Sequence, residues 1–299
     1  NGVVTRHPLE LLIFVAEEDG LFGSAAMSGV LQAENLGFVT NSGRSVADGM
    51  DFLGGDSGAV KRAERSADDF SAFVELHIEQ GPYLDRDKID IGIVQGIVGI
   101  EEWDIGVTGI ANHAGTTPMN AREDALLAAS KLVVAINESV RETGGRLVGT
   151  VGEIQVHPGA SNVVPGRVEM VLEMRDLDTA PIETAIRRIH ERAAAIAHED
   201  GVDISFTNTL GHGAALTDPS IAGAIQQASD ALGYSSVAMP SGAGHDAQNM
   251  ATRWPTGMIF VPSRAGISHS PDEFTSAEAI ARGAAVLYET ILLLDADRD

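Results

Sequence analysis

Apolar residues in this chain come in short runs closed by glycine, proline or carboxylates, and each run carries a recognisable period. Residues 9–16 are rich in large and branched apolar side chains and stop at Glu17 and Glu18, the pattern of a buried strand feeding a loop. Residues 72–78 predict a second strand that runs through His77 towards the turn at Gly81 and Pro82. Between them, residues 41–66 are rich in Gly, Ser and Asp and predict loop with short helices. From about residue 99 the pattern predicts strand (101–110), helix (121–142), strand (147–156), strand (167–177), helix (181–199) and strand (202–209). That β-α-β-β-α-β order is the split βαβ or ferredoxin-like arrangement. Beyond Gly211 come a helix (219–232), a short strand near Val237, another at 258–261 and a last helix at 276–294. The chain therefore reads as α/β: a larger domain in two pieces, 1–96 and 212–299, interrupted by an inserted unit at 97–211. An insertion hinged at two points can close as a lid.

Charge narrows the partners. A formal net charge of -23 repels phosphate backbones and anionic lipids, which argues against nucleic acid and membrane surfaces. With zero cysteines, disulfides and thiolate zinc sites are excluded, so His and carboxylates are the available metal ligands. No apolar run reaches the roughly eighteen residues of a membrane span, and the start, NGVVTRHPLE, lacks a basic and an apolar segment of a leader. The expectation is a soluble, cytoplasmic protein.

Three strings place metal-competent side chains at strand ends: AEEDG with Glu17 and Glu18, ELHIEQGP with His77, and GISHSPDE with His269. Adjacent glutamates after a strand leave in different directions, so one can hold a metal while the other faces a water as general base. Alone, such a pair is ordinarily a solvated loop. Glu75 and Glu79 alternate with His77 and share its face, which suggests a carboxylate that fixes the ring tautomer; a hydrogen-bonded core histidine is the plainer alternative. His113 in NHAGTTP, Asn162 in ASNVVPG and Arg175 in EMRDLD are candidates on the inserted unit. Arg175 suits a substrate carboxylate, with a local ion pair to Asp176 or Asp178 as the simpler alternative. SGAGHDAQ, with Gly242, Gly244 and His245, is a turn where backbone could approach a ligand, or a plain helix cap.

Taken together, ELHIEQGP, ANHAGTTPMNAREDAL, GASNVVPG, MPSGAGHDAQ and VPSRAGISHSPDEF closely resemble the N-carbamoyl-L-amino-acid hydrolases, allantoate amidohydrolases and β-ureidopropionases of the zinc aminopeptidase-like clan. The similarity runs over essentially the whole chain. It implies a zinc-aminopeptidase-like catalytic domain, a ferredoxin-like lid that forms a homodimer, and two divalent metal ions, Zn or Mn with Co or Ni also admitted. By that match Glu17 is the general base, Glu18 and His269 hold one metal and His77 the other. Gln80, Asn162, Arg175, Gly244 and His245 bind substrate, and His113 crosses from the partner subunit to steady the oxyanion. Family members also carry, at the front, a histidine in a Gly-Ser-His-x-Asp string and a metal-bridging aspartate in an Asp-Gly turn, and neither string stands ahead of Glu17 here. The expectation is an incomplete metal site, weak or partial metal binding, little turnover, and exposed apolar surface at the sheet edge. The resemblance implies cleavage of linear C–N bonds in N-carbamoyl-L-amino acids or allantoate. The alternative is a non-catalytic dimeric protein that binds small anions.

Overall fold

The computed structural model describes residues 3–297 except Asp19 and Asn41. Its contacts define two compact units, Asn1–Ile97 with Ala215–Asp299, and Val98–Ala214. In chain order the first unit supplies α1 (Phe22–Ser28), α2 (Val46–Phe52), β1 (Phe73–Ile78), α3 (Tyr83–Asp87) and β2 (Ile91–Ile97). The second comprises β3 (Gly99–Thr108), β4 (Asn112–His113), α4 (Ala125–Thr143), β5 (Val148–His157), β6 (Val163–Val164), β7 (Arg167–Asp176), α5 (Thr179–Asp200) and β8 (Asp203–His212). The chain then returns with β9 (Ala215–Leu216), α6 (Pro219–Leu232), β10 (Ser236–Ser241), α7 (Asp246–Met250), β11 (Thr256–Val261) and α8 (Ala277–Asp297).

The sheet of the first unit has the order β1-β11-β2-β10, with β9 added to β2. β1 runs parallel to β11 and β10 parallel to β2, while β11 and β2 are antiparallel. All six residues of β11 are buried, because its two faces meet different layers. Ile259 and Val261 pack with Ile221, Ile225 and Val286 from α6 and α8. Met258 and Phe260 point the other way, towards Leu84 of α3 and Ala247 of α7. Asp218 opens α6 by accepting from the Ser220 and Ile221 N–H groups, Pro219 takes the first helical position, and Gly233 closes the helix at φ 71.

The second unit is a four-stranded antiparallel sheet, order β5-β7-β3-β8, the ferredoxin-like arrangement. Ile105, Val107, Val168, Met170, Leu172 and Met174 form its core with Leu132 and Ile136 of α4 and Ile182 and Ile189 of α5. Asp124 and Asp178 cap the two helices. The cap at Asp124 explains why α4 starts later than the apolar period suggests. Residues 112–113 and 163–164 pair as a separate two-stranded ribbon.

Two strand expectations need correction. Residues 9–16 do not form a buried strand: they pair with no strand among the described residues, bend at Val15 and Ala16, and leave Leu9, Leu11, Ile13 and Val15 between 62% and 89% exposed. An apolar run becomes a core strand only when neighbours cover it, and here the ring of Phe14, 6.2 Å from that of Phe73, makes the main inward contact. The second correction is β2, which the sequence pattern did not reveal although Ile91, Ile93, Val94 and Ile97 are fully buried at the centre of the sheet. Residues 41–66 match loop with short helices, Asn41 lying outside the described residues. No helix among the described residues is long and apolar enough to cross a membrane.

Close packing of α6 on β11 depends on Gly257, where an added Cβ would lie 2.2 Å from Ile221 Cγ2. Gly257→Ala is expected to lower stability by about 1–3 kcal/mol through overpacking. Urea unfolding followed by circular dichroism reads this as a lower midpoint at unchanged slope.

Candidate metal and catalytic site

β1 positions the first components. Its residues alternate, so Val74, Leu76 and Ile78 enter one core layer while Glu75 and His77 face the layer beneath α7. Glu75 is deeply set there and accepts a hydrogen bond from the Ala247 N–H at 2.8 Å, which ties the start of α7 to β1. His77 donates from Nδ1 to the Ile78 carbonyl at 2.8 Å, leaving the Nε2 lone pair as its open donor. The ring tautomer is therefore set by a backbone carbonyl, and the expected orienting carboxylate is replaced. Glu79 turns away from the ring to accept the Tyr83 and Leu84 N–H groups, each at 2.8 Å, at the start of α3.

The glutamate pair sits in a tight turn. The Glu17 carbonyl accepts from Gly20 and Leu21 N–H, and Ala16 and Leu21 both take positive φ. Asn249 of α7 donates to the Leu21 carbonyl at 3.2 Å and to Ser24 Oγ at 2.9 Å, so the turn is fastened to α7. Glu17 and Glu18 diverge. Glu17 is half-buried and gathers with His77 and His245, one ligand atom from each lying within 4.8 Å of the others. Glu18 is exposed and reaches His269, with Oε2 and Nε2 3.4 Å apart. His269 holds φ 52 and donates its backbone N–H to Glu273 at 3.1 Å.

His245 has 0% exposure. Its ring lies 4.4 Å from that of His77, edge to face, and 5.6 Å from that of Phe260. Nε2 meets Ser241 Oγ at 2.7 Å, and that hydroxyl donates to the Ala243 carbonyl at 2.9 Å. A hydroxyl has one proton to give, so Nε2–H is the donor to Oγ and Nδ1 carries the lone pair. Ser241 and Asp246 did not stand out in the sequence; their proximity to His245 in SGAGHDAQ was the available signal.

Burial sets the protonation behaviour. It is the main cause that raises Glu17, reinforced by Glu18 and Asp246 and opposed by His77 and His269. Burial pushes Glu75 from 4.5 up to about 8, against the Ala247 hydrogen bond, with Asp246 and Glu17 adding to the rise. It raises Asp246 too, against a hydrogen bond from Ser24. His245 is pushed down to about 3 by burial and then by His77. The pocket favours a neutral His245 beside carboxyls that are reluctant to ionise. Two imidazoles and a carboxylate gathered within 4.8 Å, beside a buried His245 Nδ1 that has no hydrogen-bond partner, suit a divalent metal ion.

The other sequence candidates are placed as follows. Gln80 follows β1 at φ 55 and donates its N–H to Ser263 Oγ at 3.0 Å. Gly244 is exposed, and a Cβ there would make only ordinary contacts. In the second unit, His113 and Asn162 are neighbours on the β4–β6 ribbon, where the Ala114 N–H donates to the Asn162 carbonyl at 2.9 Å. His113 Nδ1 accepts from the Gly115 N–H at 3.0 Å. Arg175 lies towards the far end of β7 and pairs with Glu173 through two hydrogen bonds of 2.7 and 3.0 Å, where the sequence suggested Asp176 or Asp178. Eight residues of strand separate Arg167, beside the ribbon, from Arg175, about 26 Å at strand rise.

Known proteins share this architecture. The family described as Peptidase family M20/M25/M40 matches residues 1–293. An N-carbamoyl-L-amino acid amidohydrolase of Geobacillus stearothermophilus is 40% identical over 296 residues, covering 97% of this chain and 72% of that protein. An allantoate amidohydrolase of Bacillus subtilis is 34% identical, covering 97% and 71%. The crystal structure of an amidase of the hydantoinase/carbamoylase family from Burkholderia multivorans superposes with a TM-score of 0.86 at 32% identity, covering 100% of this chain and 73% of that one.

The Glu75 carboxyl gives a pH signature in the metal-free protein. Folded, it keeps its proton to about pH 8, whereas the unfolded chain releases it near 4.5, so its contribution is present below 4.5 and is lost as pH rises through about 8. Glu75→Gln keeps an acceptor for Ala247 and removes this loss. Unfolding free energies of the two proteins from urea titrations should coincide near pH 4.5 and separate by a few kcal/mol, of the order set by the shift, in favour of the variant at pH 9. Parallel pH profiles would show that Glu75 is not the group responsible.

Proposed function

The chain belongs to the M20/M25/M40 peptidase family, and from that premise we propose that it hydrolyses linear C–N bonds of ureido or carbamoyl groups in substrates that also carry a carboxylate. N-carbamoyl-L-amino acids and allantoate are the substrate candidates, on the names of the relatives. One observation carries the reading most: Glu17 and Glu18 diverge from a single turn, the first into a cluster with His77 and the second to His269. That division suits one proton-transferring carboxylate flanked by two metal positions, Glu18 with His269 and a second at His77.

Divalent ions held there would polarise the attacking water and the ureido oxygen. The remaining work falls to the chain. Glu17, raised by its half-buried setting, takes a proton from the water as its oxygen bonds to the ureido carbon. The same carboxyl returns the proton to the nitrogen as the C–N bond breaks, and ammonia leaves; a carbamate so formed decomposes to carbon dioxide and the amino acid. Arg175, oriented by Glu173, offers a planar donor to the substrate carboxylate. By the resemblance, Gln80 and Gly244 are read as further substrate contacts, and Asn162 is read with His113, its neighbour on the ribbon.

His113 completes the set from a second copy of the chain. Its support is the separation of the His113–Asn162 ribbon from Arg175 within one unit, a span no small ureido acid bridges. The inserted unit is accordingly read as the lid and dimerisation element.

Ammonia release from N-carbamoyl-L-amino acids and allantoate, with millimolar Zn²⁺, Mn²⁺ or Co²⁺ present, tests the activity. Turnover is expected to be slow, to require the added ion, and to fall by about 10² or more in Glu17→Gln with substrate binding retained. Binding of the same anions with no turnover in either protein would move the chain to the anion-binding reading.

Sharing of sites is tested by complementation. His113→Ala and Arg175→Ala should each be inactive alone, and an equimolar mixture should recover up to about a quarter of wild-type activity, because half the dimers are mixed and each has one intact site. A mixture as inactive as its parts would place both residues in one copy.

A further inference from the structure

We propose that Arg122 is the positioning residue of His113: its guanidinium holds the turn at residues 113–117 so that the imidazole offers a protonated Nε2, a hydrogen-bond donor, to the ligand. This role rests on the reading of His113 as the donor to the developing oxyanion.

The turn is built on one carbonyl. That of His113 accepts from the Thr117 hydroxyl at 2.8 Å and from the Thr117 N–H at 3.1 Å. The Ile110 N–H donates to the Glu123 carbonyl at 2.9 Å, which closes the base of the wider loop and brings Arg122 beside the turn. Arg122 is half-buried there. Its Nη2 donates to the Ala114 carbonyl at 2.7 Å and to the Thr117 carbonyl at 3.0 Å, and its Nε donates to the latter at 3.2 Å. A planar fork spans two carbonyls in one fixed geometry, which a lysine ammonium on its flexible stem does not.

The Ala114 carbonyl and the Gly115 N–H belong to the same peptide group. Arg122 holds the oxygen, and the N–H donates to His113 Nδ1 at 3.0 Å. Because the peptide is planar, fixing its oxygen fixes the direction of its N–H. The charged donor at the carbonyl also polarises the group and strengthens the N–H as a donor. Nδ1 is thereby an acceptor, so the neutral ring carries its proton on Nε2. Glycine keeps the approach clear, since a Cβ at Gly115 would lie 3.2 Å from His113 Cε1. His113 is exposed, which leaves Nε2–H for a ligand. Such a ring recognises an oxygen acceptor, the ureido carbonyl and the oxyanion it becomes, and offers nothing to the ureido N–H groups.

NMR of the whole chain tests the clamp with two readouts that need no turnover. At about pH 8.5, above the ordinary histidine pKa of about 6.5, the ring ¹⁵N shifts of His113 are identified by their loss in His113→Gln. They should report the Nε2–H form alone in the unaltered chain and averaged tautomers in Arg122→Ala. The Gly115 amide should exchange with water at least about tenfold faster in Arg122→Ala, with Arg122→Lys in between. A proton on Nδ1 in the unaltered chain would overturn the assignment, as would unchanged ring shifts and Gly115 exchange in Arg122→Ala. Circular dichroism checks folding, and the unaltered chain with Arg122→Lys decides the matter if Arg122→Ala does not fold. In turnover, Arg122→Ala should lower kcat about tenfold with KM within about twofold. A raised KM at unchanged kcat would move Arg122 to substrate binding and end its positioning role. Altered ring and amide signals with unaltered kinetics would uphold the clamp and remove the oxyanion reading of His113.

Discussion

Glu75 accepts a hydrogen bond from the Ala247 N–H at 2.8 Å inside the first unit, and this contact fixes the start of α7 against β1. A helix of five residues has no stability of its own. α7 is held at its start by Glu75 and at Asn249 by the Leu21 carbonyl and Ser24. The same two attachments locate the turn that bears Glu17 and the loop that bears His245. β1, which carries His77, is thus the reference for the whole cluster. Without an acceptor at this position, the start of α7 would lose its tie to β1.

That anchor carries an electrostatic cost. Burial disfavours the ionised forms of Glu17, Glu75 and Asp246 together, with Asp246 adding to the rise of Glu17 and Glu75, and Glu17 adding to that of Glu75. The strain is local and owes little to the net charge of the chain, most of which lies on solvated side chains. A positive charge among these groups would relieve all of them at once, so the arrangement is better matched to a cation than to an empty pocket.

Much of the fold was legible because its signals are local. The helices of the inserted unit show a clear apolar period, and Asp124 and Asp178 stand where caps belong. β2 was missed because a strand buried on both faces has no alternation, and Gly92 and Gly96 break its apolar run. Residues 9–16 misled for the opposite reason: their composition is that of a core strand, but burial is conferred by neighbours. At the site, motif order drew attention to Glu17, Glu18, His77, His113, Asn162, Arg175, His245 and His269. What it could not convey was contact. The pairing of Arg175 with Glu173, the fixing of His77 by Ile78 and the enclosure of His245 beside Ser241 depend on backbone paths that no single string encodes.

The length of β7 also bears on kinetics if the proposed sharing of sites holds. Eight steps of strand, about 26 Å, lie between Arg167, beside the His113 ribbon, and Arg175. A site built from His113 of one copy and Arg175 of another would come apart at dilutions where the copies separate, and its rate would become second order in protein. Halving the concentration would then quarter the rate, and the length of a ten-residue strand would be converted into a dependence on abundance.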